Sequence, residues 1–140
     1  MTNPGANVNE FPKIVQDYWY SIDWNVEEIW KLDLPTTEIP VRDLEWHLDV
    51  PIWPDGETRY RLTPRQVLAD PSRYVAEAKR IDDASMAYPI DVFFNRDRLM
   101  ILDGVHRLAK AWRQNRKSMR ARLVPEGAVR KIGTIGAIRA

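Results

Sequence analysis

The chain has 140 residues and a mass of 16.4 kDa, a size that suits one compact core and leaves no room for a second full module. Its 44% hydrophobic and 29% charged residues exclude fibrous and disordered classes, and its longest unbroken apolar run, 99–102, is far too short for a membrane span. The absence of cysteine excludes disulfides, thiolate zinc sites and cysteine nucleophiles. With no basic start or apolar leader at the N-terminus, it points to a cytoplasmic protein with no membrane partner. The net charge of +1 conceals a polar distribution, because residues 1–70 carry 6 basic and 13 acidic side chains and residues 71–140 carry 15 and 7. Within 96–122 there are nine Lys and Arg against Asp97 and Asp103, a density that attracts anions unless the acidic half covers it.

In chain order, Met1 to Glu10 reads as a loose tail, and Phe11, Ile14, Val15, Tyr18, Trp19 and Ile22 fall on one face of a helix. Asn25 followed by Glu28 resembles a capping box opening a short helix through Val26, Ile29 and Trp30. Four prolines between residues 32 and 54 predict turns and extended segments, with a short strand near 39–41. Thr63 before Pro64 and Asp70 before Pro71 mark two helix starts with proline in the first turn. The second is expected to run to about Asp82 with Tyr74, Val75, Ala78 and Ile81 buried.

Residues 90–94 then read as a strand, 95–97 as a turn and 99–102 as a strand buried on both faces. Val105, Leu108, Ala109 and Trp112 continue at helical spacing, and Met119, Ala121 and Leu123 alternate with arginines in a last strand. This order is α+β, a small mixed sheet with packed helices. Past Pro125 the isoleucine-rich segment is compatible with either strand or helix.

The junction Asp103-Gly104-Val105-His106-Arg107 is the most informative segment. Gly104, the only glycine between Gly56 and Gly127, stands where the apolar strand hands over to the amphipathic helix. The first turn of a helix has free N–H groups and a partial positive charge, and a glycine admits an anion to the main chain. His106, Arg107 and Lys110 oppose the helix dipole unless an anion joins them. Asp103 suits the N-cap, or could hold Mg²⁺ for a bound phosphate or act as a base, and His106 is a candidate to bind phosphate or exchange a proton. The residues assigned to phosphate are therefore Gly104, Val105, His106, Arg107 and Lys110, with Asp103 and His106 as the catalytic candidates. The competing expectation is a plain cap and a solvated helix face.

Residues 88–125 (YPIDVFFNRDRLMILDGVHRLAKAWRQNRKSMRARLVP) resemble the core of the ParB/sulfiredoxin-like superfamily, and a weaker likeness extends back to about Leu34. The resemblance implies an N-terminal tail and helical extension over 1–31, a ParB/sulfiredoxin-like domain over 32–125 and a C-terminal tail over 126–140. It implies nucleotide (ATP, ADP or CTP) bound with Mg²⁺ at the D-G-x-H-R turn, and phosphotransfer or nucleotide hydrolysis as the reaction. Sulfiredoxins carry their cysteine where this chain has Val105, so that chemistry is out of reach. The free serine kinases carry D-G-H-H-R, onto which Asp103, Gly104, His106 and Arg107 map. Partition ParB proteins carry a G-E-R-R motif and a helical DNA-binding domain, which ranks a DNA-associated module second; a non-catalytic interaction protein is the third alternative.

The segment Glu45-Trp46-His47-Leu48-Asp49-Val50-Pro51-Ile52-Trp53-Pro54 holds the other histidine, and His47, Asp49 and Trp53 are candidates for a substrate loop beside the junction. Packing of these aromatics as core competes with that assignment. No metal site is expected, since two histidines so far apart make none.

Overall fold

The computed structural model describes residues 26–95 and 97–132. The aromatic helix expected over residues 11–22, the tail before it, the Asn25 cap and residues 133–140 lie outside the described residues. The order is α1 (Val26–Trp30), β1 (Thr36–Pro40), two 3-10 turns (Val41–Asp43 and Glu45–Asp49), β2 (Trp53–Asp55), β3 (Thr58–Leu62), α2 (Pro64–Ala69), α3 (Val75–Asp83), β4 (Ile90–Asn95), β5 (Arg98–Asp103), α4 (Val105–Arg113), β6 (Ser118–Leu123) and α5 (Glu126–Ile132). Four strands form a mixed sheet in the order β1-β6-β4-β5, parallel only between β4 and β6, while β2 and β3 make a separate hairpin. The architecture is a small α+β domain. Among the described residues no helix is long and apolar enough to cross a membrane.

Both faces of the sheet are covered, as continuous apolar strands require. Ile90, Val92, Ile101, Met119 and Ala121 point into the larger core with Val67, Ala78, Ile81, Leu108 and Ala111 of α2, α3 and α4. Phe93, Met100 and Leu102 point the other way, against Ile29 of α1 and Val129 of α5. Alternation along β4 puts Asp91 on the side of Phe93, where it is buried.

The Thr63 start is a complete capping box: Gln66 N–H donates to Thr63 Oγ1 at 3.0 Å, and Thr63 N–H donates to Gln66 Oε1 at 2.9 Å. The Asp70 start is not realised. Asp70 closes α2, residues 71–73 turn, and α3 begins at Val75 after Tyr74, which makes no side-chain cap. Beginning later, α3 buries Ala78 and Ile81 as expected, with Tyr74 packed against the same core, but leaves Val75 exposed and buries Glu77 instead.

A single side chain ties the second face together. Arg122 Nε donates to Asp91 Oδ1 at 2.7 Å, Nη1 to the Leu32 carbonyl at 2.6 Å and Nη2 to the Ile29 carbonyl at 2.9 Å. It thus joins β6 to β4 and holds the C-terminal end of α1, a helix of five residues. A helix that short has no stability of its own in water. Replacing Arg122 by Ala strands Asp91 as a buried carboxylate and should lower the free energy of unfolding by about 3 to 5 kcal/mol. Urea denaturation checks this against Arg120→Ala, an exposed position on the same strand, which should change stability by less than about 0.5 kcal/mol.

Candidate functional site

The junction residues are brought to one place in the chain but diverge in space. Asp103 ends β5 and is not the N-cap: Gly104 stands there, and no side chain caps the helix. Asp103 Oδ2 instead accepts from Trp30 Nε1 at 2.8 Å and from Arg107 Nη2 at 3.1 Å. Arg107 Nη1 also donates to the Pro89 carbonyl. His106 turns the opposite way, where Nε2 meets Glu77 Oε1 at 2.8 Å and the ring stacks on Trp53 with centroids 4.3 Å apart and planes 9° apart. Glu77, nearly buried, also accepts from Arg80. Lys110 Nζ donates to the carbonyls of Asp82 and Ala84 at 2.7 and 2.8 Å. Val105 packs against the larger core.

Gly104 has a different reason to be glycine from the one the sequence suggests. Its φ is +122°, and a Cβ there would lie 2.4 Å from Ile90 Cγ2. The missing side chain admits strand β4 to the turn.

The nucleotide-binding and DNA-binding expectations are corrected by this geometry. Among the described residues no group of three or more His, Cys, Asp or Glu could hold a metal ion. Asp103, the residue assigned to Mg²⁺, is already paired with Trp30 and Arg107. His106, Arg107 and Lys110 point to separate protein partners, so nothing at the turn indicates a nucleotide or DNA site. Among the described residues there is no positive evidence for Mg²⁺ or for ATP, ADP or CTP as a cofactor.

Of the candidate substrate loop, only Trp53 meets the junction, through the His106 stack. Asp49 pairs with Arg65 at the surface, 2.7 Å away. His47 is fully buried: Nδ1 lies 2.7 Å from the Leu44 carbonyl, which can only accept, so Nδ1 carries the proton and Nε2 accepts the Ile101 N–H at 3.0 Å. That imidazole satisfies an outward N–H of the edge strand β5 and is a structural residue. Burial lowers its pKa from 6.5 to about 4, with nearby Arg98 adding to the effect and the Leu44 bond opposing it.

The structure gathers a different site. Trp30, Tyr88, Pro89, Asp91, Arg107 and Arg122 line a hollow of about 530 Å³ between α1 and the β4 edge of the junction. Of the expected site residues only Arg107 lines it, with Asp103 directly behind. Its floor is electrically balanced, Asp91 with Arg122 and Asp103 with Arg107. Asp91 lies opposite Asp103 and beside Arg122 in the sheet register. Burial raises the Asp91 pKa against the lowering effect of Arg122, and Asp103 adds to the rise. At the mouth, Trp30 and Tyr88 are 57% and 69% exposed, far more than such rings need be in a folded domain. Sequence reasoning missed Trp30, Tyr88, Pro89, Asp91 and Arg122 as site residues; the one local sign was a lone acid inside the apolar run IDVFF.

No family model, curated protein or solved structure matches the chain.

Two outcomes follow from the displaced roles. Gly104→Ala should cost about 2 to 4 kcal/mol, from the Ile90 overlap and the positive φ together, read by urea unfolding. For His47, the folded pKa lies below the unfolded one, so the unfolded chain binds more protons between them. Stability is full above about pH 6.5 and should fall by roughly 3 kcal/mol as pH drops to about 4. Unfolding free energies across that window should lose most of this slope in His47→Gln; an unchanged slope would contradict the neutral buried imidazole.

Proposed function

We propose that this chain is a small-molecule-binding protein, and that its ligand is a compact molecule with a flat apolar body and one polar group. The observation that carries this is the pair of exposed rings, Trp30 and Tyr88, at the mouth of a hollow with a buried ionic floor. Large apolar groups left in water around a concavity mark binding surfaces more often than chance exposure. The volume of about 530 Å³ is in the range of small-ligand pockets.

The floor of this hollow disfavours a free anion seated directly on it. Each guanidinium already faces a carboxylate and main-chain carbonyls, so a ligand adds to the ring of hydrogen bonds without breaking an ion pair. The resemblance to the ParB/sulfiredoxin-like superfamily enters the proposal at the level of the fold. The succession of strand, turn, strand, glycine, helix and strand over 90–123 supports it. In this reading the glycine turn is closed upon itself and binding belongs to the neighbouring hollow, in line with a non-catalytic module.

Saturation-transfer NMR with flat bicyclic fragments (indole, quinoline, naphthalene) tests the proposal. Such fragments should bind the wild-type chain, and Trp30→Ala or Tyr88→Ala should each weaken them by about tenfold. Trp30→Phe should retain most of the affinity, and Val75→Ala, exposed on α3, should leave it unchanged. Absence of binding, or binding indifferent to both ring deletions, would overturn it.

A further inference from the structure

A second hollow adjoins the first. It has about 500 Å³ and is lined by Thr36 and Glu38 of β1, Arg120 of β6, Met86, Arg116 and, again, Tyr88. Tyr88 is therefore a wall common to both, and a ligand seated against its ring in the first hollow is beside the second. The two differ in charge. In the first, both arginines face carboxylates. In the second, Arg120 donates to the Ala87 carbonyl and Arg116 to Gln114, so neither guanidinium has a carboxylate partner among the described residues. Glu38, across from Arg120 in the register, is held by Ser118 Oγ at 3.0 Å. Two guanidiniums against one carboxylate leave this hollow positive, while the neighbouring floor is neutral.

We propose that the two hollows form one bipartite site for an aryl-substituted organic acid, its ring between Trp30 and Tyr88 and its carboxylate carried past Tyr88 to Arg120 and Arg116. This rests on the binding reading above and adds the chemical class of the ligand. Each part follows from how the two hollows differ: the first offers mainly apolar walls with no uncompensated charge, and the second is more polar and carries two guanidiniums beside one carboxylate. Guanidinium forks match a carboxylate in planar, two-point geometry. Strand alternation puts Arg120 and Arg122 on one side of β6.

A matched pair of probes separates the two claims: 4-(2-naphthyl)butyrate and its primary amide, titrated by calorimetry into the wild-type chain, the double variant Arg116→Gln/Arg120→Gln, and Trp30→Ala. The carboxylate should bind the wild type at least about fivefold tighter than the amide. That preference should vanish in the double variant and shrink in high salt, with the amide affinity unchanged, which also shows that the variant is folded. Trp30→Ala should weaken both probes. Equal affinities in the wild type, or a preference that survives the double variant, would overturn the bipartite site; if the amide still binds and still depends on Trp30, the first hollow stands. If neither probe binds, both proposals fall.

Discussion

The guanidinium of Arg122 is the contact on which the second face of the sheet depends. It is taken almost entirely out of water, together with a carboxylate that is 2% exposed, and such a pair is stable only when its remaining hydrogen bonds are satisfied. The satisfaction comes from two main-chain carbonyls at the end of α1. The electrostatic requirement of one residue on β6 therefore fixes a helix more than ninety residues earlier in the chain, with |i−j| of 90 and 93. Trp30 is on that helix, and its indole N–H reaches Asp103. The wall of the hollow is thus a consequence of the same buried pair that forms its floor.

The junction at Asp103 shows how one set of residue types admits two opposite structures. Cations in the first turns of a helix need anionic or carbonyl partners, because the dipole there repels them. A bound anion is one solution; this chain uses another. The last turn of α3 and the connection before β4 supply the carbonyls of Asp82 and Ala84 to Lys110, the connection supplies that of Pro89 to Arg107, and α3 supplies the Glu77 carboxylate to His106. The side chains that would converge on a ligand are distributed over three protein surfaces, and Ile90 occupies the space that glycine opens.

Periodicity made much of the fold legible. The β4 and β5 runs, the α4 spacing and the alternation of β6 were read with ends displaced by one or two residues, and Thr63 with Gln66 announced α2 through a local hydrogen-bond pair. The failures share a cause. Asp70-Pro71 has the local form of a helix start, but only the packing of α3 against α4 decides where the helix begins and that Glu77, held by Arg80 and His106, faces inward. Arg122 and Asp91 are an unremarkable arginine and aspartate until β4 and β6 are paired in parallel, 31 residues apart. Alternation tells that a side chain is on one face and not which face will be covered. The site is legible in the sequence only at Arg107 and, one step behind the lining, Asp103.

The magnitudes assign separate tasks to the floor and the walls of the hollow. Extracting Asp91 from its arginine in favour of a ligand group would leave an uncompensated buried charge, a cost of about 3 to 5 kcal/mol that a single new contact does not recover. The floor therefore acts as a fixed array of donors and acceptors, already desolvated and oriented before a ligand arrives. Covering about 100 Å² of ring surface at the mouth is worth about 2.5 kcal/mol, comparable in size and free of that cost. Affinity accordingly resides in Trp30 and Tyr88, and orientation in the ionic floor. A negative charge on a ligand has its favourable position where two guanidiniums face a single carboxylate, on the far side of Tyr88. A ring placed the other way round would put its apolar edge against Arg116 and Arg120 and its carboxylate against two already paired carboxylates, which repel it.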